Sequence, residues 1–156
     1  MQFININKPI QICDIGANPI DETGFIDNLF KYTKCQLVGF EPDEEYFQKL
    51  KPDPNKKFYN YAIGDGNIKD LNICAAPGMS SILKPNIQYL KMFHEFEKWA
   101  KIIRIIPVKT KKLDDINFDE KMDLIKIDVQ GYESEVIKYG NSTIKELNEI
   151  NNDEMI

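Results

Sequence analysis

The sequence predicts an α/β domain in which a mostly parallel sheet lies between two layers of helix. Three observations predict it. Short apolar runs alternate with segments of helical spacing, which is the signature of β-α-β units. The runs are nearly continuous rather than alternating, as strands buried on both faces must be. Three of them also close on an acid, Asp14, Glu41 and Asp128.

Taken in order, "IQICDI" (10–15) is the first buried strand, and "GANPIDETG" follows as a loop punctuated by Gly, Asn and Pro. "FIDNLFKYT" has apolar residues at helical spacing. "CQLVGFEP" (35–42) is a second strand stopped by Pro42, after which Asp43 can cap the helix "EEYFQKL" before Pro52. "KFYNYAIGDG" (57–66) reads as a third strand and a Gly-Asp-Gly turn. "KDLNICAAPG" (69–78) reads as a fourth, with "RIIPVKTKKL" (104–113) as its antiparallel partner. Between these two, "NIQYLKMFHEFEKWAKI" carries a helical apolar stripe that includes Trp99. "DLIKIDV" (123–129) is the last clear strand, followed by two helical stretches, "YESEVIKYG" and "STIKELNEI", and a polar tail.

The chain has 156 residues, 42% hydrophobic and 29% charged, enough for one domain with its own core. A net charge of −5 argues against a partner that presents a phosphate backbone, so no nucleic acid is expected. Cys13, Cys35 and Cys74 are scattered, without CxxC spacing, and read as reduced, buried thiols. No apolar run approaches the roughly 20 residues of a membrane span. "MQFININKPIQ" lacks the apolar core of a signal peptide. The expected location is the cytoplasm.

In parallel sheets ligands bind beyond the carboxyl ends of the strands, so the three strand-end acids share one rim. Gly16 removes a side chain where the first strand turns, which admits a ligand to the backbone or merely satisfies a turn. Asp14 and Asn18 flank it. Glu41 ends the second strand, where a carboxylate can receive both hydroxyls of an adenosine ribose; its plainer reading is a solvated acid before a proline turn. Asp65 is either an acceptor for an adenine amino group or a turn residue. Ser81 caps a helix or contacts a ligand. His94, the only histidine, lies in the insert after the fourth strand and is a second-line base. One His and dispersed acids lack metal-ligand spacing, so no metal is expected.

"CDIGANP", "VGFEPD", "YAIGDG", "PGMSSIL", "VKTKKLDDI" and "DLIKIDVQGYESEVIKYG" stand in the order found in FkbM-type methyltransferases, and over residues 10 to 147 the chain resembles that family. The resemblance implies the Rossmann-like class I fold with core strand order 3-2-1-4 and S-adenosyl-L-methionine as cofactor. It implies that Asp14, Gly16 and Asn18 hold the methionine end, that Glu41 takes the ribose and Asp65 the adenine edge, and that Ala17, Pro42 and Ser81 also belong to the cofactor site. Asp128, Gln130 and Glu133 would line the acceptor side. The implied reaction is O-methylation of a hydroxyl on a small molecule, such as a sugar, lipid-linked glycan or metabolite. The alternative is a non-catalytic nucleotide-binding or assembly module. A nicotinamide-dependent fragment is disfavoured, because the first loop lacks the glycines that cradle a pyrophosphate.

The likeness departs at two places. Ile20, after Pro19, stands where the family carries a Gly, so the loop should turn differently. The later strands of the class I fold are not visible, so the chain reads as C-terminally shortened. The fourth core strand would then be an apolar edge, which a homodimer could cover.

Overall fold

The computed structural model describes residues 8–19 and 24–153, with side chains up to residue 147. Residues 1–7, 20–23 and 154–156, Ile20 among them, lie outside the described residues, and so do the expectations that fall on them.

Strand β1 (Ile10–Ile15) lies between β2 (Cys35–Phe40) and β7 (Leu124–Ile127), parallel to both. Strand β3 (Lys56–Tyr59) adds to β2, giving the order β3-β2-β1-β7. This is the expected 3-2-1-4 arrangement, with β7 as one edge among the described residues.

The lack of polar alternation follows from cover on both faces. Ile12 and Leu37 face one way, against Ile26, Leu29 and Phe30 of helix α1 (Phe25–Tyr32). Cys13, Ile15 and Phe40 face the other way, with Leu113 and Val136. Helices α5 (Glu133–Lys138) and α6 (Asn141–Asp153) lie on that side, through Val136, Ile144 and Leu147. Full burial of one such side chain contributes roughly 1.5–3 kcal/mol. All three cysteines are free and buried.

Two expectations are corrected. The third strand is not continuous over 57–66. Asn60 leaves the sheet, its side-chain amide donating to the carbonyls of Glu41 (3.1 Å) and Pro42 (3.3 Å). The chain then re-forms as β4 (Ala62–Ile63) in a second sheet of order β4-β6-β5. There β5 (Ile68–Cys74) and β6 (Ile102–Lys111) form the expected antiparallel pair. The insert also fails to form one helix. It makes two single turns, α3 (Ile87–Leu90) and α4 (Phe96–Trp99), interrupted at Glu95, whose φ is +66°. A helix this short depends on packing of its apolar face, and here Trp99 is 45% exposed. Helix α2 (Glu44–Phe47) is likewise short, and Asp43 caps it by accepting from the Glu45 amide, as expected.

Candidate active site

Because β1, β2 and β7 run the same way in register, Asp14, Glu41 and Asp128 arrive at a single rim. A narrow cleft of about 100 Å³ opens there, walled by Phe40, Ile63, Ile82 and Val129. It shares Gly16, Asn18, Gly78, Asp128 and Gln130 with a wider cavity of about 910 Å³ on the α1 side.

Gly16 makes the close approach of the β1 and β7 ends possible. Its φ is +91°, and a Cβ would stand 2.2 Å from the carbonyl oxygen of Asp128. That space was expected to serve a ligand, whereas the backbone after β7 fills it. The amides of Gly16 and Ala17 both donate to the Phe40 carbonyl, at 3.1 and 3.0 Å. Ala17 is therefore a buried anchor of the rim.

Asn18 and Glu41 are different. The Asn18 Oδ1 atom is buried and has no hydrogen-bond partner among the described residues, a costly condition in a folded chain. Glu41 is 4% exposed. Its Oε1 accepts from the Asp43 amide at 2.8 Å. Burial pushes its carboxyl up to about 7; the Asp43 amide opposes that shift, while the charges of Asp43 and Asp14 add to it. Pro42 lies beside it on the cleft wall.

Lys126 was missed by the sequence reading. Its neighbours Ile125 and Ile127 face the α5–α6 layer, so strand alternation turns Lys126 to the α1 face with Asp14. Its Nζ donates to Asp14 Oδ1 at 3.0 Å and lies 3.8 Å from Asp128 Oδ2. Burial raises the Asp14 carboxyl above its ordinary value and the Lys126 ammonium draws it back. The available signal was a lysine inside an otherwise apolar strand, which burial tolerates only with a partner.

The loop after β7 sets the far side of the cleft. Gln130 (φ +53°) and Gly131 (φ +97°) are consecutive left-handed residues. This turn brings Gln130 Nε2 to donate to Asp128 Oδ1 at 2.8 Å. Glu133 holds the turn, Oε1 accepting from the amides of Val129 (3.2 Å) and Gly131 (3.0 Å). Burial acts to raise the Glu133 carboxyl, but these amide contacts prevail and hold it below its ordinary value. Ser81 lines the cleft with Oγ donating to the Val129 carbonyl at 3.0 Å and accepting from the Leu83 amide at 3.1 Å.

Asp14 and Ala17 line the wider cavity, and three candidates line neither space. Asp65 pairs with Lys69 at 2.6 Å and accepts from the Asn67 amide at 3.0 Å. Glu133 lies behind its own turn. His94 is exposed on the insert. Tyr132, buried and on the cleft wall, was not anticipated.

The rim can thus position a polar ligand between one buried carboxylate, one unpartnered amide oxygen and an acid–lysine–acid row. Comparison with known proteins identifies the family. The family model described as the methyltransferase FkbM domain matches residues 14–151. A 2-O-methyltransferase, NoeI of Sinorhizobium fredii (strain NBRC 101917 / NGR234), is 32% identical over 143 residues. That match takes in 85% of this chain and 58% of the relative's length. No solved structure matches the chain significantly. With its three strand-end acids on one rim and nearly its whole length matched, the chain belongs to the FkbM methyltransferase family.

Proposed function

We propose that the chain binds S-adenosylmethionine at this rim and methylates a hydroxyl oxygen of a small molecule. The observation that carries the reading is the pair of under-partnered polar groups, Glu41 and Asn18 Oδ1, in one cleft with apolar walls. The residues fit the group. Glu41 would accept from the ribose hydroxyls. Phe40, Ile63, Ile82 and Val129 would cover the adenine, and Asn18 would accept from a donor on the methionine portion. When bound, the cofactor supplies an electrophilic methyl group on a sulfonium.

The chain's own task is then to place an acceptor and receive its proton. Asp128 is the carboxylate for this. It is half exposed, with one oxygen facing Lys126 and the other holding Gln130. A group within hydrogen-bond reach of the attacking hydroxyl contributes roughly 10²–10⁴-fold by taking up its proton, and alignment of the reactants contributes further. Lys126 fixes the charges of Asp14 and Asp128 relative to one another. The relative's name, a 2-O-methyltransferase, supports an oxygen acceptor.

Calorimetry with S-adenosylhomocysteine, followed by transfer of labelled methyl to carbohydrate hydroxyls, tests the reading. Micromolar binding with transfer is expected. Binding without transfer to any acceptor would favour the non-catalytic module, and absence of binding would remove the site.

A further inference from the structure

The insert between β5 and β6 presents an apolar surface that the cleft does not use. Tyr89, Met92, Phe93, Phe96 and Trp99 have the spacing of a helix face that packs into a core, but the structure turns all except the half-buried Phe96 outward. Tyr89, Met92, Phe93 and Trp99 are 66%, 76%, 57% and 45% exposed. Phe93, Phe96 and Trp99 form a continuous aromatic row, with ring centroids 5.5 and 5.1 Å apart. Contiguous apolar surface of this kind marks an interaction site.

The charge around the row indicates the occupant. Residues 83–101 hold four Lys against Glu95 and Glu97, a net +2 within a chain of −5. Lys84, Lys91, Lys98 and Lys101 are all exposed, Lys98 paired with Glu95 at 2.6 Å. Aromatic and Met side chains interleaved with lysines are the composition of segments that lie in a membrane interface, with rings at headgroup level and ammonium groups among anionic lipids.

We propose that this insert docks the protein onto an anionic lipid surface. No helix among the described residues is long and apolar enough to cross a membrane, so the contact is interfacial. The insert continues from Pro77, Gly78, Ser81 and Ile82, which line the cleft. Docking therefore holds the cleft near the lipid headgroups, where a lipid-borne hydroxyl is presented.

Trp99 is the only tryptophan, so its fluorescence reports the contact directly, with no cofactor present. Vesicles of phosphatidylcholine and phosphatidylglycerol (about 7:3, within the anionic range of natural leaflets) should shift its emission to the blue and carry the protein down on sedimentation. Phosphatidylcholine alone should do neither. Lys91→Gln with Lys101→Gln should lower partitioning about 30-fold, at ~1 kcal/mol per lysine. Phe93→Ser should weaken binding while circular dichroism confirms an unchanged fold. No shift with anionic vesicles overturns the proposal, as does equal binding to neutral ones. A blue shift that grows with protein concentration in the absence of vesicles overturns it in favour of a second copy covering the row. Because the assay needs no methyl transfer, its failure leaves the cleft reading standing, and failure of the cleft reading leaves the docking intact.

Discussion

Glu41 and Asp65 both follow strands whose carboxyl ends lie near the same cleft, and the protein treats them in opposite ways. Asp65 has its own cation, Lys69, and its own amide, from Asn67. These partners, Lys69 foremost, hold its carboxyl well below the ordinary carboxylate range. Glu41 is buried among other acids and has one amide. The first acid is satisfied by the fold. The second is held in a state that a donor-rich ligand would relieve, and that contrast separates structural from ligand-facing carboxylates more sharply than their positions along the chain.

Gly16 tests the structural side of the contrast with the largest expected effect. Gly16→Val forces a side chain into the Asp128 carbonyl at a left-handed φ. Such a clash with strain belongs to the exceptional class of substitutions, costing about 4 kcal/mol or more. Urea denaturation should show a midpoint far below the parent, or no folded protein. A midpoint within experimental error would mean that the β1 and β7 ends are not in contact.

Glu41 tests the other side through pH. Its folded value of about 7 lies above the ordinary 4.5. Between these values the folded chain keeps a proton that the unfolded chain has released. Stability therefore falls as pH rises through that window, and the full penalty is present above about 7. At ~1.4 kcal/mol per unit, the cost is about 3 kcal/mol. Glu41→Gln should raise thermal stability at pH 8 and leave it unchanged at pH 4. Glu41→Ala should weaken S-adenosylhomocysteine binding by about 1.5–3 kcal/mol, the scale of a hydrogen bond to a charged group. Stabilisation with undiminished binding would place the ligand elsewhere.

Asp128→Asn should lower turnover about 10²-fold or more if the group receives the acceptor's proton, with S-adenosylhomocysteine affinity changed less than about twofold. Its side chain is more than half exposed and its carboxylate is not required to close the rim, so the fold should survive. Unaltered turnover would make the Asp128 side chain a partner of Lys126 and Gln130 only.

How much of this was legible in the sequence depends on whether the deciding contact is local. The strand order and the shared rim follow from apolar runs and strand-end acids, which adjacent residues carry. Gly16 was found, but its reason lies in Asp128, distant in the chain. Lys126 was passed over because only the strand register shows that it faces Asp14. Asp65 was left open between a ligand acceptor and a turn residue because the sequence does not reveal that Lys69 turns back onto it. The insert was expected to be helical because its spacing fits a buried stripe, and spacing alone cannot show that nothing among the described residues covers it.

The smallest expected effect gives the contrast its strictest check. Asp65→Asn removes the charge that Lys69 balances while preserving the acceptor for the Asn67 amide. A depressed carboxyl contributes stability above its unfolded value and loses it as pH falls, so the variant should be slightly less stable at neutral pH and equal to the parent in acid. Both side chains keep partial contact with solvent, which limits this loss. Its effect on S-adenosylhomocysteine affinity should be nil, because Asp65 does not line the cleft. If calorimetry instead finds a loss comparable to that of Glu41→Ala, the two acids do the same work, and an internal cation partner no longer distinguishes a structural acid from a ligand-facing one.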